Sequence, residues 1–314
     1  VSLDTDLILD RRRLSRRLVF WRTIAVLAVI ACVLVALRPT AAIVEAPFGV
    51  AAARSVARLQ VNGIITDDPK TVAALHDVAT DKSVAALIVA IDSPGGSVAG
   101  GESLHDAIAA VAAVKPVVAV MGGTAASAGY MIAVPATRIF ARQATITGSI
   151  GVLLQTGDVS GLLKMLGINA DAIVSGPLKD QPSYLQPLSP AGHDVLQGLV
   201  MDMYDQFVAM VASGRHMDPA RVRELADGRP YTGRQALALG LIDSIGGEAE
   251  ARAWLAASKD VPADLPIQDV ETESLYRRTF GGLFGSFGGS LWKTLLSQGV
   301  MLDGALALWQ PAMK

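Results

Sequence analysis

"IVAIDSPGGSVAGG", residues 88–101, runs an unbroken apolar stretch into a Ser-Pro-Gly-Gly turn and then into small residues that can open a helix. A strand with no polar alternation is one that helices cover on both faces, which is the habit of parallel sheets. The same order follows in "PVVAVMGGTAASAGYMIA", 116–133, where a Gly-Gly turn leads to Ser127 among alanines at the start of an apolar helix. Working outward, strands are expected at 56–65, 84–92, 116–121 and 136–141, with helices at 68–81 and 97–114 between them. Strand and helix alternate, so the expected class is α/β with a largely parallel sheet. Further on, Ser189 as N-cap and Pro190 at the first helical position open a long helix to about 213. "DPARVREL" (218–225) and "GRQALALG" (233–240) read as shorter helices, the second closed by Gly240, and no internal repeat is present.

With 314 residues the chain can bury a substantial core. Hydrophobic residues are 51% and aromatics only 5%, so the apolar content is mostly Ala, Val, Leu and Ile, which suits buried strands and alanine-rich helices. A net charge of -2, with no long basic face beyond the N-terminus, argues against a nucleic-acid partner. The single cysteine, Cys32, excludes an intrachain disulfide and implies no metal site.

"RRRLSRR" (11–17) precedes residues 18–37, an apolar run broken only by Arg22. Twenty helical residues at about 1.5 Å each match the roughly 30 Å hydrocarbon core of a bilayer. The arginines place the N-terminus in the cytoplasm. The expected organisation is a basic cytoplasmic segment (1–17), a transmembrane anchor (18–37), a linker (38–55), a catalytic domain (56–255) outside the cytoplasm and a Gly-rich hydrophobic tail (256–314). A cleaved signal peptide, with "TAA" at 40–42 near the cleavage point, is the alternative. The tail reads as weakly ordered, as a helix on an oligomer partner, or as a membrane-surface contact.

The two glycine turns carry the chemistry. Glycine allows positive φ and close approach, so backbone N–H groups can face an anion. Neither glycine-rich nucleotide motif is present, which makes a phosphate ligand a poor fit. A serine at a helix N-terminus sits where N–H groups stabilise developing negative charge, although capping alone is a common duty for it. Serine also needs a base. His76, His105, His193 and His216 all lie outside 128–192, the span that holds two lysines, Lys164 and Lys179. Lysine serves as a base when desolvation lowers its pKa. Lys164 in "SGLLKMLGI" reads as the polar side of an amphipathic helix, whereas Lys179 sits in a proline-punctuated loop after an expected strand.

"SPGGSV" (93–98) followed by "AASAGY" (125–130) resembles the ClpP/crotonase-like fold of stacked ββα units. With "TGSIGV" (147–152) and "GPLKD" (176–180) added in the same order, the chain resembles the bacterial signal peptide peptidase family of SppA-type Ser-Lys serine proteases. The resemblance implies Ser127 as nucleophile, Lys179 as general base, and the N–H groups of Gly95, Gly96 or Ala128 as oxyanion donors. It further implies Ser149 as the residue orienting the lysine amine, with Ile150 and Val152 lining a substrate cleft. "GRPYTGRQALALGLIDSIGG" (228–247) is a further family-like stretch, expected to be structural. The family implies a cofactor-free serine endopeptidase anchored in the bacterial inner membrane and acting on released signal peptides and other extended hydrophobic segments. It also implies a homo-oligomer, an octamer, in which Ser127 faces Lys179 of the neighbouring subunit. Two other classes remain open: an acyl enzyme such as a thioester hydrolase, which would bind coenzyme A, and a catalytically silent membrane scaffold.

Overall fold

The computed structural model describes residues 54–270 and 306–308. The expected anchor at 18–37 lies outside the described residues, and among those described no helix is long and apolar enough to cross a membrane. The expected strands form as β1 (Ser55–Ile65), β2 (Val84–Ser97), β3 (Val117–Ala126) and β4 (Arg138–Ala141), paired in parallel in the order β1-β2-β3-β4. Helices α1 (Pro69–Thr80) and α2 (Val98–Ala112) connect the first three. Short strands β5 (Ile146–Gly148), β6 (Pro230–Thr232), β7 (Ser244–Ile245), β8 (Ile267–Asp269) and β9 (Leu306–Leu308) extend the sheet. Its main path runs β6-β5-β3-β2-β1-β8, with β4 and β7 branching from β3 and β9 joining β2. Only β6 and β9 are antiparallel to their partners among the described strands.

Side-chain alternation in β2 explains its unbroken apolar text. Leu87, Val89 and Ile91 enter a core with Leu75 of α1 and Ile108 and Val111 of α2. Their neighbours Ala86 and Ile88 face the other way, onto Ala251 and Leu255 of α8 (Glu248–Lys259). Both faces are covered, and each fully buried Leu or Ile contributes about 1.5–3 kcal/mol. Helix entries are capped as their residue types dictate: Asp68 accepts from the Lys70 N–H, and Ser97 Oγ accepts from the Gly100 N–H at 3.1 Å. Ser189 likewise accepts from the Gly192 N–H at the start of α5 (Pro190–Arg215), as expected.

Two strands run further than their apolar text. β2 continues through the glycine turn to Ser97, with Ile64 and Ile65 of β1 opposite Gly95 and Gly96. A Cβ on Gly96 would lie 1.8 Å from the Ile65 carbonyl oxygen, so the glycine extends the strand by letting two backbones meet. β3 similarly continues through "GGTAA" to Ala126. Along the opposite edge of β2, pairing with β3 ends at Ser93 and Ala125, after which β9 takes the edge with Leu308, Ala307 and Leu306 opposite Gly95, Gly96 and Ser97. Leu306–Leu308 of the tail thus form a strand, while the rest of it from residue 271 lies outside the described residues.

The segment after β5 is of another character. No residue from 151 to 191 is buried, although it carries Leu162, Met165, Leu166, Ile173 and Leu178. α4 (Ser160–Met165), expected as an amphipathic helix, buries nothing, and no strand precedes Lys179 after Gly148. The helix forms with Lys164 exposed, but its Leu162 and Met165 are exposed too, whereas Val152, earlier in the segment, packs partly against the core.

Candidate active site

Ser127 stands between β3 and the short helix α3 (Ala128–Met131), with φ 56° and ψ -120°. A non-glycine residue at positive φ is strained by about 1–3 kcal/mol and persists only where its surroundings hold it. Here its N–H donates to the Gly148 carbonyl at 2.8 Å, and its carbonyl accepts from the Tyr130 and Met131 N–H groups, each at 2.9 Å. The Ser127 hydroxyl is buried and has no hydrogen-bond partner among the described residues. An unpaired buried hydroxyl costs about 1–3 kcal/mol, so its position calls for a reason other than stability. The Ala128 N–H, at the head of α3, has no acceptor among the described residues either.

The two glycine turns are drawn together by small residues. A Cβ on Gly129 would lie 2.9 Å from the Ser93 carbonyl oxygen, and one on Gly101 would lie 3.1 Å from the Ala128 Cβ. Both contacts seat α3 directly against β2 and α2. Gly95 has φ 118°, and its N–H donates to the buried Ser93 Oγ at 3.1 Å. Of the three expected oxyanion donors, Gly95 is therefore already engaged, Gly96 lies in the β1–β2–β9 ladder, and Ala128 is free.

Ser149 lies beside this turn because Ala126 pairs with Gly148. It too has positive φ, 49°, and its hydroxyl donates to the Gly228 carbonyl at 3.1 Å, which leaves its lone pairs available to an N–H donor. Ile150 is fully buried in the core, so it lines no cleft; the apolar character that suggested a substrate contact serves packing instead. Val152 does line a cavity of about 550 Å³, with Leu153 and with Val200, Met201 and Tyr204 of α5.

Lys179 is exposed, in a turn where its N–H donates to the Gly176 carbonyl at 3.0 Å. No hydrogen bond within the chain joins it to Ser127 or Ser149. Lys164 is exposed as well, and His105 is bonded to Asp106 at 2.9 Å. The chain thus holds the serine, the free N–H and Ser149 together, with no base hydrogen-bonded to the serine among the described residues.

Tyr130 was not singled out from the sequence. It is fully buried, and its phenol donates to the Leu241 carbonyl at 2.8 Å, tying the serine turn to "GLIDSIGG". Burial raises the phenol well above its ordinary pKa, so it stays a donor. In the same stretch Asp243 accepts from the Ile139 N–H at 2.7 Å and from Arg215 at 2.6 Å. Tyr130→Phe should cost about 1–2 kcal/mol of stability, because the Leu241 carbonyl loses its donor in a dry site. Urea unfolding measures this, and an unchanged midpoint would show the bond to be dispensable.

Residues 109–262 match the model of Peptidase family S49, and residues 58–159 match that of Clp protease. The sheet with its two glycine turns is accordingly a mixed α/β sheet of ClpP-like fold. A putative protease of Synechocystis sp. is 38% identical over 239 residues, covering 75% of this chain and 86% of that one. A putative signal peptide peptidase SppA of Enterococcus faecium is 36% identical over 63% of this chain and 62% of its own length. Protease 4 of Salmonella typhi is 36% identical over 61% of this chain, which spans only 32% of that protein. Among solved structures, a mutant ClpP1 of Listeria monocytogenes aligns over 62% of this chain and 92% of its own, with a TM-score of 0.42 and 16% identity.

Proposed function

From the premise that the chain belongs to peptidase family S49 and is a serine peptidase, we propose that it is a membrane-anchored endopeptidase using a Ser127–Lys179 dyad completed between subunits. The observation that carries this is the buried, partnerless Ser127 hydroxyl on a strained turn beside the free Ala128 N–H. Ser55 Oγ is buried and unbonded as well, but it lies at the start of β1, whereas the Ser127 hydroxyl stands on a strained turn beside a free N–H, as a nucleophile awaiting its base would.

In the proposed reaction neutral Lys179 of a neighbouring subunit takes the Ser127 proton as Oγ attacks the peptide carbonyl. The oxyanion is held by the free Ala128 N–H. The C–N bond breaks as the lysine proton passes to the leaving amine; water, deprotonated by the same lysine, then attacks the ester carbonyl, the C–O bond to Ser127 breaks, and the lysine returns its proton to Oγ. Ser149, whose proton is committed to Gly228, accepts an N–H from the lysine and aims it. The cavity beside Val152 takes an apolar side chain, which fits signal peptides and other extended hydrophobic segments as substrates. The uncovered segment 151–191 supports a homo-oligomer, since a neighbour would bury its apolar residues while receiving Lys179, and the octameric ring is what the family resemblance implies for it. Residues 18–37 would anchor the subunits in the bacterial inner membrane, with the peptidase domain on the outer side.

The test is labelling of the detergent-solubilised protein by a fluorophosphonate, in wild type, Ser127→Ala and Lys179→Ala, each sized for assembly. Labelling lost in both variants with assembly intact is the expected result. Undiminished labelling of Lys179→Ala would remove lysine as the base and favour the thioester hydrolase. No labelling of wild type would leave a silent scaffold.

A further inference from the structure

The second face of the sheet holds two opposite charges that do not meet. Along β2, Leu87, Val89 and Ile91 enter the core under α1 and α2, so Ala90 and Asp92 belong to the face that α8 covers. α8 covers only part of it: Ala251 and Leu255 pack on Ala86, Ile88 and Val118, nearer the strands' beginnings. Between the head of that helix and the C-terminal ends of the strands lies a cavity of about 220 Å³. Its floor is Ala90 beside Val120, with Asn62 and Asp92 on the β1–β2 side and Arg142, directly after β4, on the other. Asp92 stands opposite Gly122–Thr124, where the pairing of β2 with β3 shifts register, and its Oδ1 accepts from the Thr124 N–H at 3.0 Å. Its Oδ2 has no partner among the described residues. The Arg142 guanidinium has none either, although the N–H of the same residue donates to Thr145 Oγ1 at 3.0 Å. Glu248, which also lines the cavity, is committed to Arg58 at 3.2 Å.

A carboxylate and a guanidinium in one cavity would ordinarily pair, but here β3 lies between them and presents Gly122, which has no side chain to bridge the gap. A Cβ on Gly122 would lie 3.3 Å from the Asp92 Cγ, so a larger residue there would crowd the carboxylate. We infer that the cavity is a binding site for a free α-amino acid with an apolar side chain, its ammonium on Asp92 and its carboxylate on Arg142. The signs require it: a phosphate would meet Asp92 and Glu248, a simple cation would meet Arg142, and a ligand carrying both charges satisfies both ends. The spacing agrees. Two strand steps of about 4.8 Å set the two side chains about 10 Å apart at the backbone. Charge-assisted contacts of about 2.8 Å at each end leave about 4 Å between the ligand's own charges, which suits an ammonium and a carboxylate on one carbon. Arg142 offers the planar fork that carboxylates take, and Ala90 and Val120 offer an apolar side chain a dry floor. The volume is below the roughly 300–1,000 Å³ of pockets for drug-sized molecules, so the ligand is small. Its place outside the carboxyl ends of parallel strands is where open α/β sheets take ligands.

The experiment measures binding and needs no hydrolysis. L-leucine is titrated by isothermal calorimetry into the detergent-solubilised full chain and into its Asp92→Asn, Arg142→Gln and Lys164→Gln variants. Asparagine keeps an oxygen for the Thr124 N–H, and the Arg142 guanidinium bonds to nothing among the described residues, so both site variants should keep the wild-type urea midpoint. Lys164 is an exposed cation elsewhere and serves as the control for charge alone. Wild type and Lys164→Gln should bind leucine saturably, with a Kd of order millimolar or below. Asp92→Asn and Arg142→Gln should each bind at least about tenfold more weakly, because each loses one charge-assisted contact. N-acetylleucine and leucinamide, which lack one charge each, should bind wild type at least about tenfold more weakly than leucine does. No saturable heat in wild type up to about 10 mM leucine, or equal affinity in all four proteins, overturns the inference. So does undiminished binding of either capped leucine, or a loss of affinity that Lys164→Gln shares.

Discussion

Replacing Ser127 with alanine should lower kcat/KM for a fluorogenic apolar peptide by at least about 10⁴-fold, the scale on which serine peptidases lose activity when the nucleophile alone is removed. The substitution removes a hydroxyl that bonds to nothing among the described residues and leaves the N–H and carbonyl bonds of residue 127 in place. The variant should therefore fold and assemble as wild type does, with a urea midpoint no lower. Activity above about one part in a hundred of wild type would mean that the hydrolysis belongs to another residue.

Lys179→Ala should be nearly as severe, a loss of about 10²–10⁴-fold, since the base acts with the nucleophile as one unit. The more telling result comes from combining the two inactive proteins. If each site takes its serine from one subunit and its lysine from the next, co-expressed Ser127→Ala and Lys179→Ala chains form some sites with both groups intact. Random assembly around a ring makes about a quarter of the sites complete, so activity should return to about that fraction of wild type. Had serine and lysine come from the same subunit, every mixed site would lack one of them and nothing would return. The prediction follows from the exposed Lys179 and the partnerless Ser127, which no hydrogen bond joins within one chain.

The sheet was legible because its central strands are buried on both faces, so their text is apolar without interruption. What composition could not convey was where those strands end. Gly95 and Gly96 look like a terminus, and they extend β2 because glycine alone permits the approach to Ile65. The proposed nucleophile was readable as a serine between a glycine turn and a helix. Its supports were not, since Ser93 bracing Gly95 and Tyr130 reaching Leu241 depend on residues 2 and 111 positions apart that carry no local signature. Ile150 misled for a related reason: an apolar residue beside a reactive serine looks alike whether it faces a substrate or the core, and here it is the core. The tail strand was hidden more completely, for nothing in "ALAL" distinguishes a strand on β2 from a membrane contact.

The backbone at residue 127 sets the protein's chemistry against its durability. At φ 56° and ψ -120° a glycine would rest easily, whereas a serine pays for its place with strain and with an unbonded hydroxyl. Domains are stable by only about 5–15 kcal/mol in all, so a few kcal/mol held at one residue is a large share. The substitution that would best relieve the fold is thus the one that removes the proposed nucleophile, and on that reading a screen for heat resistance alone would drive this enzyme toward an inert version of itself.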